Sequence, residues 1–346
     1  MTSITKQLDA EHLAPLLLSF VKRSTHAWQV QITDLRLLTG GASRQTWSFD
    51  ARIEHANGQA KTLPLILRSD PHEGPQSVMN RTLEFHILEA VYAEGVLVPK
   101  PYFLGDDSLG VPFFIMERIE GETIPRRLFR DPSFSQARQV MAQQLGAWLA
   151  RIHRVPIEKY RLAGLSAPQN GRSPAEEEIV RFEEMYATMA REPHLAFELA
   201  FRWLRQHMPT KQEQVLVHGD YRMGNVIFGP DGVRSILDWE LTHIGDPLED
   251  LGWMCVRSWR FGNDELPVGG VGKREDFWRA YEDAGGYPVD PTRVHFWEIF
   301  GNLRWGILCL TLTQPFLDGL NPSVELAAIG RRTVETEWEL LHLMEE

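Results

Sequence analysis

The segment that most constrains the fold lies between residues 217 and 240, where polar residues stand among short apolar runs. Residues 217–225 read VHGDYRMGN, an apolar triplet follows, and residues 236–240 read ILDWE. Between them the sequence Gly-Pro-Asp-Gly at 229–232 favours a tight hairpin turn. The pattern therefore predicts a polar loop followed by two paired strands, with Asp238 at the end of the second strand.

Three side chains of this segment have the chemistry of metal-assisted phosphoryl transfer. That reaction needs a carboxylate that orients the attacking hydroxyl, and further oxygen ligands that hold Mg²⁺ against phosphates. Asp220, Asn225 and Asp238 supply these groups, and the hairpin is expected to return Asn225 and Asp238 to the same end of the strand pair. The alternative is structural: Asp and Asn also cap helices, turns and strand ends.

This block closely resembles the H-G-D-x-x-x-x-N and I-D-[WF]-E segments of the aminoglycoside phosphotransferase and choline kinase-like family. Residues 245–251, GDPLEDL, resemble the G-D-P-x-x-D-L segment of the same family. The branch most similar in pattern is the kinase-like domain found beside acyl-CoA dehydrogenases. The resemblance implies a protein-kinase-like fold, ATP and Mg²⁺ as cofactors, Asp220 as catalytic base, and Asn225 and Asp238 as Mg²⁺ ligands.

The first third of the chain carries strand signals. After a predicted helix at 10–22, five short apolar runs are bounded by turn formers, and Asn57-Gly58 favours a hairpin between two of them. The runs are Val30–Leu38, Thr46–Ile53, Leu63–Leu67, Pro101–Leu104 and Phe113–Met116. One helix, at about 78–94, is predicted between the third and fourth runs.

Helical periodicity dominates after Gly121, beginning with an amphipathic segment at Ser135–His153. We therefore predict a bilobal α+β fold. Residues 1–117 form a nucleotide-binding lobe with a five-stranded antiparallel sheet and one helix, and residues 118–346 form a larger, mainly helical catalytic and substrate-binding lobe.

The nucleotide-binding candidates lie in the predicted first lobe. Paired glycines at Gly40 and Gly41, with Ser43 nearby, stand between two predicted strands. Glycines allow backbone N–H groups to approach phosphate closely, although a Gly-Gly pair alone more often marks a hairpin turn. The family pattern G-G-x-S favours the phosphate-binding interpretation, and the segment lacks the Gly-Lys-Ser of a Walker A loop.

A cation at the end of the third predicted strand is expected to contact the phosphates. Arg68 stands where protein kinases carry Lys, and Glu84 on the predicted helix is its expected partner, with Glu89 as second choice. Both residues could instead be ordinary surface charges. Met116 lies in the segment that resembles the family's adenine-binding hinge, although packing in the core explains it equally well.

Composition excludes several classes of protein. Acidic residues outnumber basic ones by 47 to 36, so the chain has no basic surface typical of proteins that bind nucleic acids or anionic membranes. Two cysteines, Cys255 and Cys309, cannot build a disulfide scaffold and fit a reducing compartment. No signal sequence or membrane-spanning run is recognised, so we expect a cytoplasmic protein.

The sequence predicts a small hydroxylated molecule as phosphate acceptor and leaves its identity open. Acidic residues suit an aminoglycoside, whereas the aromatic-rich region at 253–305 suits an apolar acyl group, or simply a helical core. Arg257, Arg260 and Arg304 are candidates to meet an anionic group such as a CoA phosphate. The branch resemblance favours a hydroxyacyl-CoA-like metabolite. The alternatives are a nucleotide-binding pseudokinase or a metal hydrolase built on residues 218, 220 and 238.

Overall fold

The computed structural model describes residues 9–38, 45–70, 79–160, 162–211 and 213–345. These residues form two compact units. The first unit comprises the described parts of Met1–Gly121 and Glu158–Gly164, together with Arg234–Leu241. The second comprises Glu122–Ile157, Leu165–Val233 and Thr242–Glu346, again within the described residues. The mixed α+β class predicted from the sequence is confirmed.

The first unit contains the predicted five-stranded antiparallel sheet, in the order β1-β2-β3-β5-β4. Asn57 and Gly58 lie in the hairpin that joins β2 to β3, and Gly58 has φ of 83°, which a residue without a side chain adopts at little cost. The strands are β1 (Gln29–Leu38), β2 (Gln45–Glu54), β3 (Ala60–Ser69), β4 (Pro101–Leu104) and β5 (Phe113–Glu117).

Two helices accompany the sheet. Helix α1 (Ala10–Thr25) buries Leu13, Leu17 and Phe20 against one face of the sheet in a continuous apolar core. Helix α2 (Arg81–Ala93) begins three residues later than predicted, because the side chain of Asn80 caps it by accepting a hydrogen bond from the Leu83 N–H.

The second unit is mainly helical. Helix α4 matches the bounds predicted for the amphipathic segment. The helices are α3 (Pro125–Arg130), α4 (Ser135–His153), α5 (Pro174–Met189), α6 (Leu195–Gln206), α7 (Pro247–Cys255), α8 (Arg274–Asp283), α9 (Pro291–Leu317), α10 (Val324–Arg331) and α11 (Thr333–Leu343).

The polar segment singled out in the sequence folds as a loop between short strands. Strand β6 (Val215–Val217) leads into it and pairs antiparallel with β9 (His243–Gly245). Strands β7 (Val226–Gly229) and β8 (Gly232–Ile236) form the predicted hairpin, and the boundary between the two units falls within β8.

Helices α7 and α9 approach each other closely at Gly252. A Cβ built on this glycine would lie 2.6 Å from the carbonyl carbon of Trp297 and 2.7 Å from the nitrogen of Glu298. A side chain here would push the helices apart. The missing side chain therefore lets α9 present its residues to α7 and to the loop that follows β6. Within the described residues, no helix has the length and apolar character needed to cross a membrane.

Candidate active site

Asp220 lies in the loop after β6 and is held by three side-chain donors. Its Oδ1 accepts hydrogen bonds from Arg222 Nε at 2.9 Å and from the Trp253 indole Nε1 at 2.9 Å. Its Oδ2 accepts from Asn225 Nδ2 at 2.6 Å. These hydrogen bonds fix the carboxylate in one orientation. The side chain remains 11% exposed, so solvent still reaches it. Such fixed orientation is what a catalytic base requires.

A second aspartate fixes the backbone of the same loop. Asp250 of α7 is fully buried, and its carboxylate accepts the N–H groups of His218 at 2.7 Å and Gly219 at 3.0 Å. His153 of α4 lies 3.1 Å from the same carboxylate. Burial acts to raise the pKa of Asp250, but the hydrogen bonds and the nearby histidines outweigh it and hold the pKa below its usual value.

Arg304 of α9 links the loop to helix α7. Its Nη2 donates to the carbonyl oxygen of Gly219 at 2.6 Å, and its Nη1 donates to Glu249 Oε1 at 3.1 Å. The guanidinium also lies over the Trp253 ring, 4.5 Å from the centroid. Because Trp253 donates to Asp220 and Gly219 precedes Asp220, one buried arginine supports the carboxylate from two sides.

A buried group formed by Glu178, His243 and Glu249 has the donor atoms of a metal site, all within 4.8 Å of one another. Two arginines already supply positive charge there, since Arg181 pairs with Glu178 and Arg304 with Glu249. Burial acts to lower the pKa of His243, but the two carboxylates outweigh it and raise the pKa to about 9. With these cations in place, the group is an internal ion-pair network rather than a metal centre.

In the first unit, Arg68 of β3 bridges two carboxylates. Its Nη1 lies 3.2 Å from Glu84 Oε1 and its Nη2 lies 3.1 Å from Asp238 Oδ1. Burial acts to lower the pKa of Arg68, but the two carboxylates reverse that effect and raise it. Glu84, fully buried, also pairs with Arg81, which in turn contacts Asp70. The ion pair expected between Arg68 and Glu84 is present.

Asp238 adopts an unusual backbone conformation. Its φ is 67°, in the left-handed region that Asp enters more readily than most residues. Its side chain is 30% exposed, whereas its neighbour Trp239 is buried and donates from its indole to the carbonyl oxygen of Ile236. A strained residue held between a buried tryptophan and an ion pair is typical of functional sites.

The remaining predicted site residues divide into two groups. Gly40, Gly41 and Ser43 lie outside the described residues. Met116 is buried in β5, opposite Ile66 of β3 in the sheet register. The structure thus brings Arg68, Glu84 and Asp238 together in the first unit, and Asp220 and Asn225 together in the second.

Several contacts at these groups were not foreseen from the sequence. Trp253 and Arg222 donate to Asp220, and Arg81 shares Glu84 with Arg68. Arg222 lies two residues after Asp220, so the sequence spacing could have predicted their contact. Trp253 and Arg304 reach the loop only through helix packing, which no local pattern encodes.

The expectation that three arginines meet an anionic group is wrong for Arg304 and Arg260. Arg304 is 2% exposed and engaged as described above. Arg260 is buried and pairs with Glu298 at 2.9 Å, while donating to the carbonyl oxygen of Cys255. Both serve internal ion pairs, because charges this deep must be matched. Arg257, the third of these arginines, lines a cavity.

Solved structures of similar fold include two kinds of phosphotransferase. A candidate aminoglycoside phosphotransferase from Ralstonia eutropha superposes with a TM-score of 0.75, at 22% identity, covering 98% of this chain and 99% of that one. A thermostable mutant of aminoglycoside phosphotransferase APH(4)-Ia, in ternary complex with AMP-PNP and hygromycin B, gives 0.62 at 15% identity, with 95% and 97% covered. A choline/ethanolamine kinase family protein from Mesorhizobium loti gives 0.57 at 19% identity, with 90% and 88% covered.

Curated relatives are longer proteins. Mouse acyl-CoA dehydrogenase family member 10 is 27% identical over 277 residues, which is 74% of this chain and 25% of that protein. Human acyl-CoA dehydrogenase family member 11 is 32% identical over 177 residues, 49% of this chain and 22% of that protein. The chain thus spans about a quarter of the length of these relatives.

The profile of the phosphotransferase enzyme family matches residues 34–292, about three quarters of the chain. This span contains the strands of the first unit's sheet from residue 34 onward, the loop that carries Asp220, and helix α7. The match confirms the family that the H-G-D and I-D-W-E motifs predict. The chain therefore belongs to the phosphotransferase enzyme family.

Proposed function

We propose that this protein is a Mg²⁺-dependent kinase that transfers the γ-phosphoryl group of ATP to a hydroxyl group of a small molecule. The observation that carries the proposal is the fixed carboxylate of Asp220, with hydrogen bonds from Arg222, Asn225 and Trp253. A carboxylate fixed by three donors, on a loop whose backbone is also fixed, suits a reaction that depends on positioning.

Asp220 acts as the base in this proposal. It orients the acceptor hydroxyl and accepts its proton as the oxygen attacks the γ-phosphorus. A new P–O bond forms, the bond between the γ-phosphorus and its bridging oxygen breaks, and ADP leaves with that bridging oxygen. Hydrogen bonds fix the orientation of the carboxylate, and partial exposure leaves it accessible to an acceptor.

Asn225 and Asp238 are the proposed Mg²⁺ ligands. Asn225 uses its amide nitrogen to bind the side chain and carbonyl oxygen of Asp220, which orients the amide so that its oxygen is the atom left for a cation. Asp238 offers a partly exposed carboxylate. Amide and carboxylate oxygens are the donors that Mg²⁺ prefers, so the residues fit the metal. When bound, Mg²⁺ neutralises negative charge on the phosphates.

The first unit is proposed to bind ATP and the second to supply catalysis and the acceptor site. Arg68, oriented by Glu84, is the proposed phosphate contact, and a bidentate guanidinium suits that role. Gly40, Gly41 and Ser43 are proposed to cover the phosphates, and Met116 to border the adenine. The AMP-PNP complex of a structural neighbour supports ATP as the donor.

The experiment is a coupled assay of ATP consumption with and without Mg²⁺ on a panel of acceptors: hydroxyacyl-CoAs, choline and aminoglycosides. We expect acceptor-dependent release of ADP and a phosphorylated acceptor detectable by mass spectrometry. Asp220→Ala is expected to abolish turnover, whereas Asp283→Asn, an exposed residue at the end of α8, is the matched control.

Two outcomes would contradict the proposal. ATP binding without turnover on any acceptor, together with no effect of Asp220→Ala, would indicate a pseudokinase. Hydrolysis of an acceptor in the absence of ATP would indicate a metal hydrolase.

A further inference from the structure

The second unit contains a cavity of about 720 Å³ beside α9 and α11. Its walls come from α3, the segment after α7, Asn302 of α9 and the first two turns of α11. This volume lies in the range of pockets that hold small organic ligands. Three arginines and three carboxylates line it, so its chemistry depends on which of these charges are already paired.

The three carboxylates are all paired with arginines of the same cavity. Arg257 binds Asp264 at 2.8 Å and Glu339 at 3.3 Å. Arg332 binds Glu335 at 3.2 Å. A polycationic ligand would have to break these pairs before it could use the carboxylates, which makes such a ligand a poor match for this cavity.

The third arginine is different. Arg126 of α3 is exposed, and it makes no hydrogen bond or ion pair with any residue that the structure describes. Asn302 is 1% exposed and donates its amide nitrogen to the carbonyl oxygen of Glu298. Within the same described residues its amide oxygen has no hydrogen-bond donor. The cavity therefore offers one arginine that is not already paired and one buried hydrogen-bond acceptor.

Aromatic side chains complete the walls. Trp338 of α11 is 49% exposed and stacks beneath the Arg257 guanidinium at 4.6 Å, which leaves apolar surface for a ligand. Phe261 is 37% exposed and has φ of 51°, a conformation that bulky residues rarely adopt. Strain of this kind, at a residue on a cavity wall, is typical of ligand-binding segments.

A short segment connects the cavity to Asp220. Ser258 lines the cavity, and the next residue, Trp259, stacks beneath the Arg222 guanidinium at 4.8 Å. Arg222 donates to Asp220, as described above. The stacked pair of Trp259 and Arg222 therefore links the wall of the cavity to the carboxylate of Asp220.

We propose that this cavity binds the phosphate acceptor, and that the acceptor is a hydroxylated molecule with an apolar body and a single anionic group, such as a hydroxycarboxylic acid. The proposal rests on the phosphotransferase function proposed above. Arg126 binds the anionic group and the aromatic walls hold the apolar body, which leaves the acceptor hydroxyl for Asp220. The paired carboxylates disfavour polycationic aminoglycosides.

The test is calorimetric binding, without ATP, of 3-hydroxyoctanoate, its neutral methyl ester and the polycation kanamycin. We expect the acid to bind about tenfold more tightly than the ester, a difference of about 1.4 kcal/mol. Arg126→Gln is expected to remove this preference, and Arg126→Lys to restore most of it. Arg130→Gln, on the same helix but outside the cavity lining, is the control and should keep the preference.

Equal binding of acid and ester, no effect of Arg126→Gln, or no binding of the acid at millimolar concentration would overturn the proposal. Tighter binding of kanamycin than of the acid would overturn it as well. Because binding is measured without ATP, these outcomes are independent of turnover. If kanamycin is phosphorylated while the acid does not bind, the kinase function stands and the assignment of the cavity fails.

Discussion

The replacement Asp250→Asn tests whether the loop before Asp220 depends on one buried carboxylate. The substitution preserves shape while removing charge. Asparagine has a single acceptor oxygen for the N–H groups of His218 and Gly219, and its amide nitrogen must face a donor. His153 loses its charged partner at the same time.

Hydrogen bonds to charged groups contribute about 1.5–3 kcal/mol each, and breaking a buried charge pair costs about 3–5 kcal/mol. These effects overlap, because one carboxylate makes all the contacts. We therefore expect the free energy of unfolding to fall by about 3 kcal/mol. The pKa of Asp250 is lowered in the folded protein, so its stabilisation is present above the unfolded pKa of about 3.9 and is lost as the pH falls through the lower folded value.

The assay is urea unfolding near neutral pH, followed by tryptophan fluorescence and circular dichroism, with Asp283→Asn as an exposed control. ATP turnover provides a second readout, and we expect it to fall at least tenfold because the loop loses its fixed backbone. The reasoning is refuted if Asp250→Asn and Asp283→Asn have the same free energy of unfolding, within about 0.5 kcal/mol, and the same turnover.

Other predictions concern buried charges and thiols. Arg304→Met should lower the free energy of unfolding by about 3–5 kcal/mol in urea unfolding, because the buried Glu249 carboxylate loses its arginine partner; no change would contradict the ion-pair account. The pKa of His243 is raised to about 9, so its stabilisation is complete below about pH 6.5 and is lost as the pH rises through 9. His243→Gln should therefore cost more stability at pH 6 than at pH 10, and equal costs would argue against a charged histidine. Burial raises the thiol pKa of Cys255 and Cys309 to about 12. Iodoacetamide should therefore label neither thiol at pH 8 until the protein is unfolded, and rapid labelling of the native protein would contradict their burial.

Local patterns predicted much of the fold. Alternating apolar runs and the Asn57-Gly58 turn predicted the five strands, and apolar periodicity predicted Ser135–His153 to the residue. Strand β9 was missed because its three residues pair with β6 across the intervening loop and hairpin, and such a short strand has no pattern of its own.

The site was predictable where chemistry follows spacing along the chain. The loop motif predicted Asp220 and Asn225, and strand order placed Arg68 within reach of Glu84. The contact of Trp253 with Asp220 could not be predicted from spacing, because it depends on how α7 packs behind the loop. The wrong expectation for Arg304 has the same origin, because sequence shows a charge but not the buried partner that neutralises it.

The most direct test of the central claim, that Asp220 is the catalytic base, compares the wild type with Asp220→Asn on an acceptor that the wild type phosphorylates. ATP affinity is measured by calorimetry and turnover by phosphorus NMR of the product. We predict that turnover falls by about 10²–10⁴-fold while the dissociation constant for ATP changes less than about twofold. Turnover within tenfold of the wild type, with ATP binding intact, would contradict the role assigned to Asp220.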